Sequence, residues 1–158
     1  MTEPTPSQTV GPFFGFALPF ADDARAADVE SHDALTIEGQ VLDGAGEPVP
    51  DALVEASQGE QFARCRTDGE GAFHFILRKP IVSDGAPCFE VTVFARGLLR
   101  HLQTRMYFPD EQRANRADRV LQLVEESRRH TLIAHQDADT VRFDIRLQGE
   151  SETVFFAL

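Results

Sequence analysis

The chain has no tryptophan, one tyrosine, two cysteines and no apolar run of bilayer-spanning length, and each shortage removes a class of protein. Cys65 and Cys88 are too few for a disulfide framework and match no zinc-binding spacing, so the expectation is a reduced intracellular chain with two small apolar fillers. The N-terminal Met1-Thr2-Glu3-Pro4-Thr5-Pro6-Ser7-Gln8 has neither a basic start nor an apolar stretch of signal-peptide length. A cytoplasmic location is expected. Positive charge is scarce too: 15 Lys and Arg stand against 26 Asp and Glu, and the resulting formal charge of −11 repels phosphate backbones and anionic headgroups. Neither nucleic acid nor a membrane is expected as a partner. His32, His74, His101, His130 and His135 form no HxH, HExxH or HxxxH pattern, which leaves the chain without local metal-ligand spacing. Gly-rich phosphate loops and nucleophile-elbow serines are missing as well.

What remains is phenylalanine and β-pattern. Thirteen Phe lie in a chain that is 42% apolar and 26% charged, ordinary globular composition for 158 residues. A chain of this size buries roughly two-thirds of its unfolded surface, so one domain over 1–158 is expected, with 1–34 as an N-terminal arm and linker. The arm lacks periodicity, and its Phe13, Phe14 and Phe16 must lie on some surface. Strand patterns follow at Thr36–Leu42, Ala52–Ala56 and Ala72–Leu77, punctuated by turns at Asp43-Gly44-Ala45-Gly46 and Asp68-Gly69-Glu70-Gly71. Residues 110–134 turn helical in composition, with Asp110 and Asp118 as candidate N-caps of one or two short helices. Val141–Leu147 alternates apolar and charged residues and predicts a half-buried strand; Thr153–Phe156 predicts a final one. The fold class is all-β: a sandwich of mixed or antiparallel strands with one or two short helices and an N-terminal arm.

One strand carries unusual chemistry. In Cys88-Phe89-Glu90-Val91-Thr92-Val93-Phe94-Ala95-Arg96, period two places Cys88, Glu90, Thr92, Phe94 and Arg96 on one face and four apolar residues on the other. A row bearing a thiol, a carboxylate and a guanidinium is costly to bury unless the groups are paired or used. The bland reading of Arg96 is a surface ion pair with Glu90. A second strand, joined at Gly97, runs through Arg105-Met106-Tyr107-Phe108-Pro109-Asp110.

Several segments are together similar to the intradiol ring-cleavage dioxygenases. They are Thr5-Pro6-Ser7-Gln8-Thr9-Val10-Gly11-Pro12-Phe13-Phe14, Val49-Pro50-Asp51-Ala52-Leu53-Val54-Glu55, Arg66-Thr67-Asp68, Val93-Phe94-Ala95-Arg96-Gly97-Leu98 and Thr104-Arg105-Met106-Tyr107-Phe108. To these are added Arg129-His130-Thr131-Leu132-Ile133-Ala134, Arg142-Phe143-Asp144-Ile145-Arg146-Leu147-Gln148-Gly149-Glu150 and Glu152-Thr153-Val154-Phe155-Phe156, in family order over nearly the whole chain. The end motifs resemble the α-chain type of the protocatechuate-cleaving members.

The resemblance implies Fe(III) held in the family's catalytic chain by two tyrosines and an HxH pair of histidines. On this sequence the HxH positions fall on Cys88 and Glu90, and a lone Tyr107 cannot supply two tyrosinates. It therefore implies an α subunit without iron, catalytic residues or metal ligands of its own, working in a hetero-oligomer with an Fe(III)-bearing β subunit on a small aromatic substrate and O₂. Thr9, Gly11, Pro12 and Arg96 would form its wall of the substrate pocket. Against the family pattern, 20–35 and 56–64 are short. Two rival readings stay open: a stand-alone binding or scaffold sandwich, and an enzyme with a divergent metal site built from Glu90, His74 or His101.

Overall fold

The turn chemistry seen in the sequence partitions the chain. In the computed structural model, which describes residues 11, 13–28 and 31–157, Asp43 accepts hydrogen bonds from the Ala45 and Glu47 amides, and Asp68 accepts from Glu70 and Ala72. Each aspartate thus ties down a turn whose last glycine, Gly46 or Gly71, has positive φ. The strands between such turns are β1 (Ala34–Leu42), β2 (Leu53–Gln58), β3 (Gln61–Arg66), β4 (Ala72–Arg78), β5 (Cys88–Phe94) and β6 (Leu102–Tyr107). After β6 come α2 (Gln112–Ala117), α3 (Arg119–Leu123), a 3-10 helix at Glu126–Leu132, then β7 (His135–Asp137), β8 (Thr140–Arg142) and β9 (Ile145–Arg146).

Two sheets stack face to face. One is mixed, in the order β4-β1-β8-β7, with β9 also pairing β1; the other is antiparallel, in the order β3-β2-β5-β6. Ile37, Val41, Phe73, Phe75 and Leu77 from the first sheet meet Val54, Ala56, Phe89, Val91, Val93 and Met106 from the second in one buried core. A smaller apolar cluster of Ala86, Tyr107, Leu121, Val124 and Leu132 joins the helical segment to the end of β5 and β6. The expected mixed β-sandwich is therefore the observed fold.

Four sequence expectations change. The alternating Val141–Leu147 run is not one strand: β8 and β9 pair successively with β1, and the chain breaks between them at Phe143-Asp144, where the Asp144 carboxylate accepts from the Gln40 amide. That side-chain bond takes the place of a ladder bond, so perfect alternation coexists with a broken ladder. Thr153–Phe156 forms no strand, although the Phe156 amide donates to the Gln103 carbonyl and the Thr104 hydroxyl to that of Val154. Gln61–Arg66, which begins inside the segment 56–64 expected to be short, forms β3, and β7 was not anticipated. The arm, expected to have no element of its own, carries one helical turn, α1 (Phe14–Ala17).

Asp118 does cap α3, accepting from the Val120 and Leu121 amides. The start of α2 is capped by no side chain, and its N-cap position is Glu111 rather than Asp110.

Candidate functional site

The outer face of the antiparallel sheet carries the chemistry. Along β5 the buried positions are Phe89, Val91 and Val93, followed by Ala95, so Cys88, Glu90, Thr92 and Phe94 point away from the core, as their alternation requires. Arg96 lies just beyond the strand, in the turn made with Gly97, whose φ is +87°. β5 and β6 form a hairpin in which Cys88 faces Tyr107 and Glu90 faces Arg105.

The arm crosses one end of this face. Phe14 is buried with its ring 6.1 Å from that of Phe94, and the Arg66 guanidinium lies over the Phe16 ring. Arg64 donates through Nη1 to the Leu18 carbonyl at 2.6 Å and through Nε and Nη2 to Glu55, an ion pair that is about 85% buried on both sides. Further on, Arg64 and Ile76 donate their amides to Asp23 and Ala24, so the linker bridges the edges of the two sheets. Of the three Phe residues expected to lie on a surface, Phe14 is buried on the polar face of β3-β2-β5, Phe16 meets Arg66 there but stays largely exposed, and Phe13 is exposed.

At the other end, β5 and β6 hold four groups that face one another. Arg105 Nη2 pairs with Glu90 Oε1 at 2.6 Å. The Tyr107 hydroxyl, fully buried, donates to Asp118 Oδ1 at 3.0 Å. Burial drives the Tyr107 phenol well above its ordinary pKa and the Asp118 carboxylate adds to the effect, while Arg105 opposes it. Burial likewise pushes the Cys88 thiol up to about 11, with Arg105 pulling it down and Glu90 and Asp118 pushing it up. At neutral pH both potential ligands keep their protons.

This set does not fit ferric iron. The metal needs several anionic or imidazole donors, and here a thiol and a phenol are protonated, one carboxylate is committed to an arginine, and a guanidinium stands among them. Among the described residues no group of three or more His, Cys, Asp or Glu is placed to hold a metal ion. The divergent site from Glu90, His74 and His101 is not assembled either: His74 is on the outside of the opposite sheet and His101 packs its ring against Phe94.

Of the pocket-wall candidates, Thr9 and Pro12 lie outside the described residues. Gly11 is half-buried with φ +76°, a conformation that glycine adopts without strain. Since Phe14 stacks on Phe94, three residues from Gly11 and two from Arg96, the arm and Arg96 share one end of the sheet. Arg96 does not pair with Glu90. Its Nε contacts Asp51 Oδ2 while the side chain stays two-thirds exposed. Glu90 is claimed instead by Arg105, which is directly across the ladder.

Asp51 and Arg105 had no role assigned from the sequence, and Asp118 was expected only as a helix cap, not as the acceptor of the Tyr107 hydroxyl. Folding the chain back at Gly97-Leu98 pairs residues equidistant from the turn, which gives Glu90 with Arg105 and Cys88 with Tyr107. The signal was present in the hairpin. No comparable signal links Asp51 to Arg96.

No family model matches the chain. The protocatechuate 3,4-dioxygenase alpha chain of Burkholderia cepacia is 39% identical to it over 190 residues, covering 96% of both chains. The chain belongs to the protocatechuate 3,4-dioxygenase alpha chain family. The alpha chain of Pseudomonas putida is 38% identical over 193 residues, covering 96% of this chain and 95% of its own. Both alignments are longer than the 158 residues available here, so both alpha chains carry internal residues that this one lacks. Among solved structures, the dioxygenase domain of a carbohydrate-binding fusion from Streptomyces sp. SirexAA-E superposes with a TM-score of 0.64 at 22% identity, covering 93% of this chain and 99% of that one. Catechol 1,2-dioxygenase from Acinetobacter sp. ADP1 gives 0.56 at 17% identity, over 82% of this chain and 58% of that one. At such identities these two establish the shared fold. Among the described residues no helix is long and apolar enough to cross a membrane.

Proposed function

We propose that this chain is the α subunit of a protocatechuate 3,4-dioxygenase, that it binds no iron itself, and that it forms part of the substrate pocket together with an Fe(III)-bearing β subunit. The observation that carries the reading is that the two positions expected to match the histidines of the family's catalytic chain hold a protonated Cys88 thiol and a Glu90 carboxylate paired with Arg105, beside a protonated Tyr107. A guanidinium fixed there supplies positive charge without a metal and repels an incoming cation. The reaction joins one O₂ to protocatechuate and opens the ring between its two hydroxylated carbons, giving 3-carboxy-cis,cis-muconate with both oxygen atoms retained. The partner's iron supplies the activation of the catechol.

This chain contributes position and charge. Thr9, Gly11 and Pro12 of the arm, with Arg96, form its wall of the pocket. Asp51 holds Arg96 through Nε, leaving the two terminal nitrogens to meet a carboxylate in the forked geometry that such pairs favour. The setting is the cytoplasm, consistent with two free cysteines, Cys65 buried in the core and Cys88 half-buried on the outer face.

In the assembled complex, Arg96→Ala is expected to weaken substrate binding by about 1.5–3 kcal/mol, roughly 10- to 150-fold in KM with a smaller change in kcat. Steady-state kinetics on variant and parent complexes measure it. Unchanged KM in a fully assembled variant would refute the role of Arg96.

A further inference from the structure

Leu53 is fully buried, yet it belongs to the outer face of its sheet. Its neighbours Ala52 and Val54 point into the core, so Leu53 points the other way. In the register it stands between Arg66 of β3 and Phe94 of β5. Both flanking residues meet α1. The Arg66 guanidinium lies 5.3 Å from the Phe16 ring centroid and beside Gly15, where an added Cβ would be 3.7 Å from its Nε, while Phe94 meets the Phe14 ring. α1 therefore crosses the sheet from β3 to β5 and roofs Leu53.

The two sides of that roof are unequal. Phe16 is 74% exposed, so its contact with Arg66 is made at the surface, whereas Phe14 is 8% exposed. α1 is a single turn of four residues with no side-chain cap, too short to keep its shape without tertiary contacts. Its placement depends on the Phe14 ring.

Phe94 is the middle one of three rings. Its centroid is 6.1 Å from that of Phe14 and 5.6 Å from that of His101, with planes tilted by 31° and 42°, both inside the range of about 4.5–7 Å at which ring pairs attract. The rings come from the arm, the end of β5 and the residue before β6. Arg96, two residues after Phe94, is anchored independently of this stack: Ala95 is buried, the Leu98 amide donates to the Ala95 carbonyl, and Asp51 holds the guanidinium. The stack thus fixes the arm against Arg96 and not the reverse.

We propose that Phe94 is a positioning residue: backed by His101, it clamps Phe14 and so sets where Gly11, three residues earlier in the arm, stands relative to Arg96 across the substrate pocket. The inference rests on the pocket reading above and adds to it the side chain that keeps the two parts of the wall in register.

Steady-state kinetics with protocatechuate on assembled complexes test it, together with hydrogen exchange at the Ala17 and Leu18 amides, which donate to the Phe13 and Phe14 carbonyls in α1. Phe94→Ala is expected to raise KM about tenfold with a smaller change in kcat, and to speed exchange of both amides about tenfold. Phe94→Leu, which keeps apolar bulk over the sheet but offers no ring, should raise KM about threefold and covers the case in which alanine impairs assembly. Because Phe14→Ala removes the same contact, combining it with Phe94→Ala should add nothing, whereas Phe94→Ala and Arg96→Ala should add. Unchanged KM in assembled Phe94→Ala and Phe94→Leu complexes, unchanged exchange in α1, or full additivity of Phe14→Ala with Phe94→Ala overturns the proposal. Arg96→Ala keeps it apart from the pocket reading: unchanged KM in that variant, with faster α1 exchange in Phe94→Ala, would contradict the pocket reading and support the clamp.

Discussion

Gly39→Ala is expected to abolish stable folding, a loss of about 4 kcal/mol or more. Gly39 is buried in the middle of β1, where the chain crosses from β8 to β9 along the same edge. A Cβ at this position would sit 2.0 Å from the Phe143 carbonyl oxygen and 2.6 Å from the Phe73 ring. The ring could turn only by disturbing the core, and the carbonyl is backbone, anchored by the bond from the Phe143 amide to the Glu38 carbonyl at 2.8 Å. The methyl group must therefore force the crossover away from β1 and open the mixed sheet. Gly69→Ala is the control, because nothing lies within 4 Å of its added Cβ. Urea denaturation should show a near-native midpoint for Gly69→Ala and no cooperative transition, or one at far lower urea, for Gly39→Ala. Equal midpoints would contradict the steric account.

Asp118→Ala is expected to cost about 3–5 kcal/mol, because one carboxylate serves four donors. It accepts from the Val120 and Leu121 amides as the cap of α3, from the Ala86 amide in the loop before β5, and from the Tyr107 hydroxyl at the end of β6. At 6% exposure, water cannot replace it. Alanine strands all four donors at the junction of the helical segment with the outer sheet face. Burial alone would raise the Asp118 pKa, but the bonds from Leu121, Ala86, Tyr107 and Val120 outweigh it and hold the carboxyl below its ordinary 3.8. A carboxylate depressed by folding adds stability that is complete above its unfolded pKa and disappears as pH falls through the folded value. Acid unfolding should accordingly steepen below about pH 4. Asp118→Asn, which keeps an acceptor but cannot ionise, should flatten that steepening while losing part of the stability at neutral pH. A stability–pH curve for Asp118→Asn parallel to that of the parent would contradict the linkage.

The sequence made most of the sandwich legible because its turns are chemically explicit. Aspartates that bond their own following amides announce where β1 and β4 end or begin, and the alternation in β5 gives its two faces directly. The arm's attachment was foreseen as a need, from three Phe without an element, but the site of attachment depended on Arg64 and Arg66. β3 was obscured because three of its six residues are arginine or glutamine, tolerable only where an outer face supplies Glu55 and a phenylalanine ring as partners. The break between β8 and β9 was invisible, since a side-chain acceptor from Asp144 replaces the ladder without changing the hydrophobic period. At the site, the loss of the histidine pair could be read from Cys88 and Glu90. For Arg96, the bland alternative of a pair with Glu90 on the same strand fails, because the hairpin register gives Glu90 to Arg105 and leaves Arg96 to a turn residue 45 positions earlier in sequence.

The central claim is that this chain lends shape and charge to a metal centre carried by another subunit. The most direct measurement is iron content and oxygen uptake with protocatechuate, made on the chain purified alone and again after co-expression with an iron-bearing β chain. The account predicts neither stoichiometric iron nor turnover for the chain alone, and a co-purifying complex with visible tyrosinate-to-iron absorption and oxygen uptake. Tightly bound iron and catechol turnover in the chain by itself would contradict it.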